Sequence, residues 1–86
     1  MASGYELKIT RLAQKELGSL EENTYRRIKQ AIVSLAETPR PVGCKKLANR
    51  DAWRVRMGDY RVIYEIHDRE LVVIVIRVVH RKEAYR

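Results

Sequence analysis

Trp53-Arg54-Val55-Arg56-Met57-Gly58-Asp59-Tyr60-Arg61-Val62-Ile63-Tyr64-Glu65-Ile66 reads as two short strands around a Gly-Asp turn. Two apolar-rich runs joined by a two-residue glycine turn are a strong short-range signal of a β-hairpin. Alternation along the first arm sends Trp53, Val55 and Met57 to one face and Arg54 and Arg56 to the other, so the two arginines project together. Arg61 follows directly after the turn among apolar neighbours, so its charge is either partnered or aimed at a ligand. An arginine on a strand is a positioned five-donor fork suited to phosphate, whereas one on a floppy tail supplies only diffuse charge. The ribbon therefore suggests a phosphate-directed site for nucleic acid. A plainer reading stands beside it, a solvated outer face whose surface ion pairs are worth about 0–1 kcal/mol each.

Downstream of the ribbon come a turn at His67-Asp68-Arg69-Glu70 and a β-branched run from Leu71 to Val79 that is apolar on both faces, the pattern of a central strand. Upstream, residues 39 to 52 hold Pro39, Pro41, Gly43, Asn49 and the pair Lys45-Lys46, which predicts a surface loop anchored by Leu47 and able to carry contacts. Further back, Tyr5-Glu6-Leu7-Lys8-Ile9-Thr10 alternates as a strand with one buried face. Thr10 can cap a helix with Leu12, Ala13, Leu17 and Leu20 on one side, although Gly18 costs about 1 kcal/mol relative to alanine. After a break near Glu22 and Asn23, Tyr25, Ile28, Ile32 and Leu35 recur at helical spacing until Pro39 and Pro41 stop the helix. The expected order is β-α-α-β-β-β. It gives an α+β fold with two N-terminal helices packed on one face of a small, mostly antiparallel four-stranded sheet.

At 86 residues there is room for a single domain, 1–86, with a modest core. Hydrophobic residues make up 45% and charged ones 34%, as in a folded domain and unlike a disordered tail. The net charge of +7 is unevenly spread: residues 39 to 86 hold twelve Lys/Arg against six Asp/Glu, whereas residues 1 to 38 hold six against five. An anionic partner is expected on the second half. The longest apolar run, Leu71 to Ile76, is far too short to cross a bilayer, and with no secretory signal pattern a cytoplasmic location and no membrane partner are expected. Cys44 is the only cysteine, which leaves no internal disulfide and fits a reducing compartment. Beside Lys45 and Lys46 it reads mainly as a partly covered thiol.

The segment Val79-His80-Arg81-Lys82-Glu83-Ala84-Tyr85-Arg86 gathers a histidine, cations and a phenol immediately after the central strand. Scission of RNA by its own 2′-hydroxyl needs a group to take the proton, donors for the charge growing on the phosphate, and an acid for the leaving 5′-oxygen. Histidine and arginine meet the first two needs, and a tyrosine can stack on a base or take part in proton transfer. The competing readings are a frayed basic tail for Lys82 and Arg86 and a backbone-satisfied imidazole for His80. With only His67 and His80, and no carboxylate or cysteine cluster at ligand spacing, neither a metal site nor a cofactor is expected. The lack of a Gly-rich phosphate loop argues against a nucleotide-hydrolysing enzyme.

The order of elements, Lys46-Leu47 before the ribbon, residues 53–66, and the run Val72 to Arg86 together resemble the RelE/ParE superfamily of toxins from bacterial type II toxin–antitoxin systems, and specifically the RelE-type mRNA interferases. The resemblance spans nearly the whole chain. It implies a RelE-like domain that cuts messenger RNA in the A site of the small ribosomal subunit and is held inactive by a cognate antitoxin, with operator DNA bound only through the antitoxin complex. It assigns phosphate stabilisation to Arg61 and Arg81, and stacking or proton transfer to Tyr85. Arg54 and Arg56 fall where some members have lysines credited with acid/base work. An arginine with a pKa above 12 binds phosphate well but is a poor base near neutral pH. His80 is then the candidate base, with Lys45 and Lys46 as further phosphate contacts. The alternative from another class is a ParE-like inhibitor of DNA gyrase that catalyses nothing, since one fold permits both.

Overall fold

The first strand of the described residues is the alternation Glu6–Ile9, here β1, which turns Leu7 and Ile9 inward. The structure is a computed structural model and describes residues 4–82. Thr10 ends β1 and caps α1 (Arg11–Gly18): its hydroxyl accepts from the Ala13 N–H at 3.1 Å and donates to the Ile76 carbonyl at 3.1 Å, so one side chain starts the helix and ties it to the sheet. α2 (Glu22–Ser34) takes in the expected break near Glu22 and Asn23, because Glu21 supplies the cap, its side chain accepting from the Thr24 N–H at 3.1 Å. Ala13 and Leu17 of α1 and Ile28, Ile32 and Leu35 of α2 and its C-cap face the sheet. Leu12, expected on the same stripe, is 48% exposed. The stripe set by the i, i+4 pair Ala13 and Leu17 leaves it about 100° to one side.

Among the described residues five strands form the sheet, one more than the sequence suggested: β2 (Lys45–Lys46), β3 (Trp53–Met57), β4 (Tyr60–His67) and β5 (Val72–His80) join β1 in the order β1-β5-β4-β3-β2. The added strand is the Lys45-Lys46 pair itself, which hydrogen-bonds antiparallel to Trp53 and Arg54 instead of remaining loop. Among the described residues only the β1–β5 pair is parallel. Gly58 sits at φ 57° in the two-residue turn between Met57 and Tyr60, a left-handed position where a side chain is strained. Leu71 takes φ 56° without that excuse, and its carbonyl accepts the Glu6 N–H at 2.7 Å, the bond that starts the parallel pairing.

The helices cover one face of the sheet. Val55, Val62, Tyr64, Val73, Val75 and Val78 are buried against them. Tyr64, fully buried, donates its hydroxyl to the Pro39 carbonyl at 2.7 Å, and burial pushes its phenol well above the ordinary tyrosine value. Asp68 accepts from both the Arg40 guanidinium (2.9 Å) and the Tyr5 hydroxyl (2.7 Å), which holds its carboxyl below the ordinary range; Arg40 also lies over the Trp53 ring, 5.1 Å from its centroid. This clasp pins the segment after α2 to the β4–β5 turn.

Two features of β5 orient everything beyond it. The register runs Tyr64 to Val75 but Ile63 to Arg77, leaving Ile76 as the extra residue of a bulge. Past the bulge the alternation is reset: Val78 faces the helices with Val73 and Val75, while Arg77 and Val79 face the other way. Second, β1 pairs only as far as Val75, so β5 runs on with an open edge that α1 covers. Glu16 closes it, with Oε1 accepting the Val78 N–H at 2.8 Å and Oε2 accepting from Arg77 Nε at 3.0 Å and Nη2 at 2.7 Å.

Candidate functional site

Directly paired residues of neighbouring strands share a face. Lys45 opposes Arg54, Arg54 opposes Ile63, and Ile63 opposes Arg77. One pleat along, Arg56 opposes Arg61, which opposes Val79. Lys45, Arg54, Arg56, Arg61 and Arg77 therefore stand together on the face that the helices leave open. Arg81 joins them at the same end of the sheet, because its N–H continues the ladder to the Asp59 carbonyl at 2.7 Å, one pleat past Val79 and diagonal to Arg61. Diagonal neighbours are ~7–8 Å apart, and four adjacent strands span about 14 Å. This width suits a bent stretch of nucleotide backbone.

The patch is electrostatically one-sided. Two of its cross-strand pairs, Lys45–Arg54 and Arg56–Arg61, set like charges directly opposite each other, an arrangement that costs stability. Among the described residues Lys45, Arg54 and Arg56 form no ion pair; Arg77 is held by Glu16 from the sheet edge at 2.7 Å, and Asp59 approaches Arg81 Nε to 3.9 Å. The other end of the same face carries Glu6, Glu65 and His67, with Glu65 and His67 joined at 2.8 Å. Arg61 lies at the centre of the patch and is 8% exposed, the one buried charged side chain among the described residues. Burying a guanidinium fixes its direction, and a fixed fork is what phosphate recognition requires.

The remaining candidates go elsewhere. Lys46 shares the helix side of the sheet edge with Trp53 and pairs with Asp51 at 3.4 Å. His80 lies opposite Tyr60 on the helix-covered face, its ring edge-on to the Tyr60 ring with centroids 5.2 Å apart. It lines a hollow of about 320 Å³ with Glu16, Ser19, Leu20, Tyr60 and Val78. Its Nδ1 accepts the Lys82 N–H at 3.2 Å. The imidazole is thus on the far side of the sheet from Arg54, Arg56 and Arg61, and the bulge at Ile76 is the physical reason. Tyr85 lies outside the described residues. Arg77 was not legible as a member of the patch, since strict period-2 counting from Val73 puts it under the helices; only the bulge brings it out. Among the described residues, no three His, Cys, Asp or Glu side chains gather as metal ligands, and no helix is long and apolar enough to cross a membrane.

Residues 7–85 match the family described as "ParE toxin of type II toxin-antitoxin system, parDE". Toxin RelG of Mycobacterium tuberculosis is 32% identical over 85 residues, covering 95% of this chain and 97% of that protein. Among solved structures, the archaeal RelE–RelB complex from Pyrococcus horikoshii contains a chain that superposes with a TM-score of 0.82 at 32% identity, over 91% of this chain and 96% of that one. The intact Escherichia coli RelBE toxin–antitoxin complex gives 0.77 at 28% identity, over 88% and 95%.

Proposed function

This chain belongs to the RelE/ParE superfamily of toxins from type II toxin–antitoxin systems, and from that premise we propose that it is an endoribonuclease that cleaves messenger RNA on the ribosome. The observation that carries the reading is the open-face patch in which Arg54, Arg56 and Arg81 surround a buried Arg61. In the reaction the 2′-oxygen attacks the adjacent phosphorus and the 5′-oxygen leaves, so negative charge grows on the equatorial phosphate oxygens. Guanidinium groups fixed before substrate arrives stabilise that charge without reorganising. Holding the backbone bent so that the 2′-oxygen lines up with the leaving oxygen supplies the rest by positioning. Lys45 extends the patch along the entering strand, whereas Lys46, on the helix side and paired with Asp51, stands outside it. Tyr85 is the residue we assign to base stacking or proton transfer. The imidazole of His80 is not used as the base here.

Its partner is a cognate antitoxin, as in the relatives solved as RelE–RelB complexes. An acidic, partly disordered segment laid over the patch would neutralise it, and operator DNA would be reached only through that complex. The substrate sets the place of action in the cytoplasm. The deciding experiment is incubation of the chain with ribosomes programmed with a defined message, in parallel with the same message carrying a 2′-deoxy sugar at the mapped cut site. Cleavage of the first and survival of the second is expected. Cutting of the deoxy substrate would refute 2′-hydroxyl attack.

A second reading has its own support: the matching family is described as ParE toxin, and the patch among the described residues contains no histidine to move a proton. On that reading the chain inhibits DNA gyrase without catalysis. Intact messages on programmed ribosomes together with lost supercoiling activity of purified gyrase would establish it in place of the nuclease.

A further inference from the structure

Arg81 emerges from a turn whose two backbone donors are both engaged. Its own N–H bonds the Asp59 carbonyl at 2.7 Å, and the next N–H, of Lys82, bonds Nδ1 of His80 at 3.2 Å. A ring nitrogen that accepts from an N–H carries no proton itself, so the imidazole is held in the tautomer protonated on Nε2. A side chain accepting from the backbone two residues on is what aspartate and asparagine do in an Asx-turn. His80 performs that role here, with its ring fixed edge-on against Tyr60.

We propose that His80 is a positioning residue: from the helix side of the sheet it latches the turn after β5 so that Arg81 is aimed onto the open face beside Arg61, and protonation of its ring releases the latch. The proposal rests on the reading of Arg81 as a phosphate donor given above. The ring shares its hollow with Glu16 of α1, whose carboxylate is occupied by Arg77 and the Val78 N–H, and with Tyr60 of β4, and along its own run it meets the backbone N–H of Lys82. Protonating Nδ1 turns the acceptor into a donor facing the Lys82 N–H, and the bond cannot survive. The geometry needs an acceptor at this place rather than an imidazole. Asparagine supplies one at the same i to i+2 spacing and does not titrate; alanine supplies none.

The test uses the full chain as wild type, His80→Asn, His80→Ala and Arg81→Ala, with two measurements. The amide signals of Arg81 and Lys82 are followed by ¹H–¹⁵N NMR between about pH 5 and 8. Cleavage of a defined message on programmed ribosomes is measured over the same range. The Lys82 amide should shift with pH in wild type and stay flat in His80→Asn. Cleavage should fall roughly two- to tenfold in His80→Ala, as for one lost hydrogen bond, stay within about twofold of wild type in His80→Asn, and lose its decline on the acid side there. Two results overturn the latch: a Lys82 amide that ignores the imidazole, or a folded His80→Asn as impaired as His80→Ala, which would make the ring itself an acid or base. Should wild type cut no message, the nuclease reading fails, and the NMR measurement alone then decides whether the latch exists.

Discussion

On β4, Val62 and Tyr64 are fully buried beneath the helices, while Arg61 and Ile63, each one residue away, line the face that the helices leave open. On β3 the same division separates Val55 from Arg54 and Arg56. The covered face is a close-packed apolar layer whose pieces support one another. The open face sets cation against cation across the ladder at Lys45–Arg54 and Arg56–Arg61, pairings that cost stability in themselves. When adjacent residues of one strand differ this way, the covered side accounts for stability, and the charged side carries a cost that only an anionic partner repays. Residues of the two faces should therefore fail differently when changed, one by unfolding and the other by loss of activity.

The sharpest separation is expected at Ile32, which has no exposed surface. Ile32→Ala removes buried methylenes and leaves a cavity, at a cost of about 2–5 kcal/mol. Equilibrium urea unfolding would measure it, and message cleavage per folded molecule should match wild type. A folded but inactive Ile32→Ala would mean that the two faces are coupled and the comparison too simple.

A smaller effect is expected at Tyr64, whose phenol is fully buried on the covered face. Tyr64→Phe keeps the ring and loses the hydroxyl that donates to the Pro39 carbonyl, which costs about 1 kcal/mol at neutral pH. The pH dependence separates this from a pure packing loss. Burial, the leading cause, raises the folded phenol above its unfolded value of 10.0. Its contribution is therefore complete below about pH 10. It is lost as pH rises further, because the unfolded chain releases the proton first. Stability of wild type should decline above that pH and decline less in Tyr64→Phe; Tyr5, also raised through its bond to Asp68, leaves a residual slope. Parallel alkaline curves for the two chains would exclude Tyr64 as the source.

Much of this division was legible in residue order. The Gly-Asp turn, the inward set Trp53, Val55 and Met57, the cap at Thr10 and the stripe of α2 all follow from local periodicity and turn chemistry, and the structure has them where those rules put them. Three things were not legible. Lys45-Lys46 has no alternation to mark it as a strand and becomes one only because β3 offers an unpaired edge. Glu21 caps α2 although serine, threonine and asparagine stand close by in the sequence. The bulge at Ile76 had the largest consequence, since isoleucine among valines carries no local sign of an extra residue. Without it, Arg77, Val79 and Arg81 would point beneath the helices and His80 would stand in the open. A period-2 reading thus finds the right residues on β3 and assigns β5 beyond Val75 to the wrong sides.

The smallest effect on stability, and the most direct test of the open face, is expected at Arg56. It is exposed, lies directly opposite Arg61, and forms no ion pair among the described residues. Arg56→Glu replaces a like-charge cross-strand pair by an opposite-charge one, a change worth about 0.2–1 kcal/mol in favour of folding. The same change removes one phosphate donor and repels the substrate. A hydrogen bond to a charged group is worth about 1.5–3 kcal/mol, so cleavage should fall roughly tenfold to more than a hundredfold. A chain that becomes more stable while losing its activity is what a face built for an absent anion predicts. If Arg56→Glu leaves cleavage intact and stability unimproved, the patch is a solvated surface with ordinary ion pairs, and the contrast between the two faces reduces to burial alone.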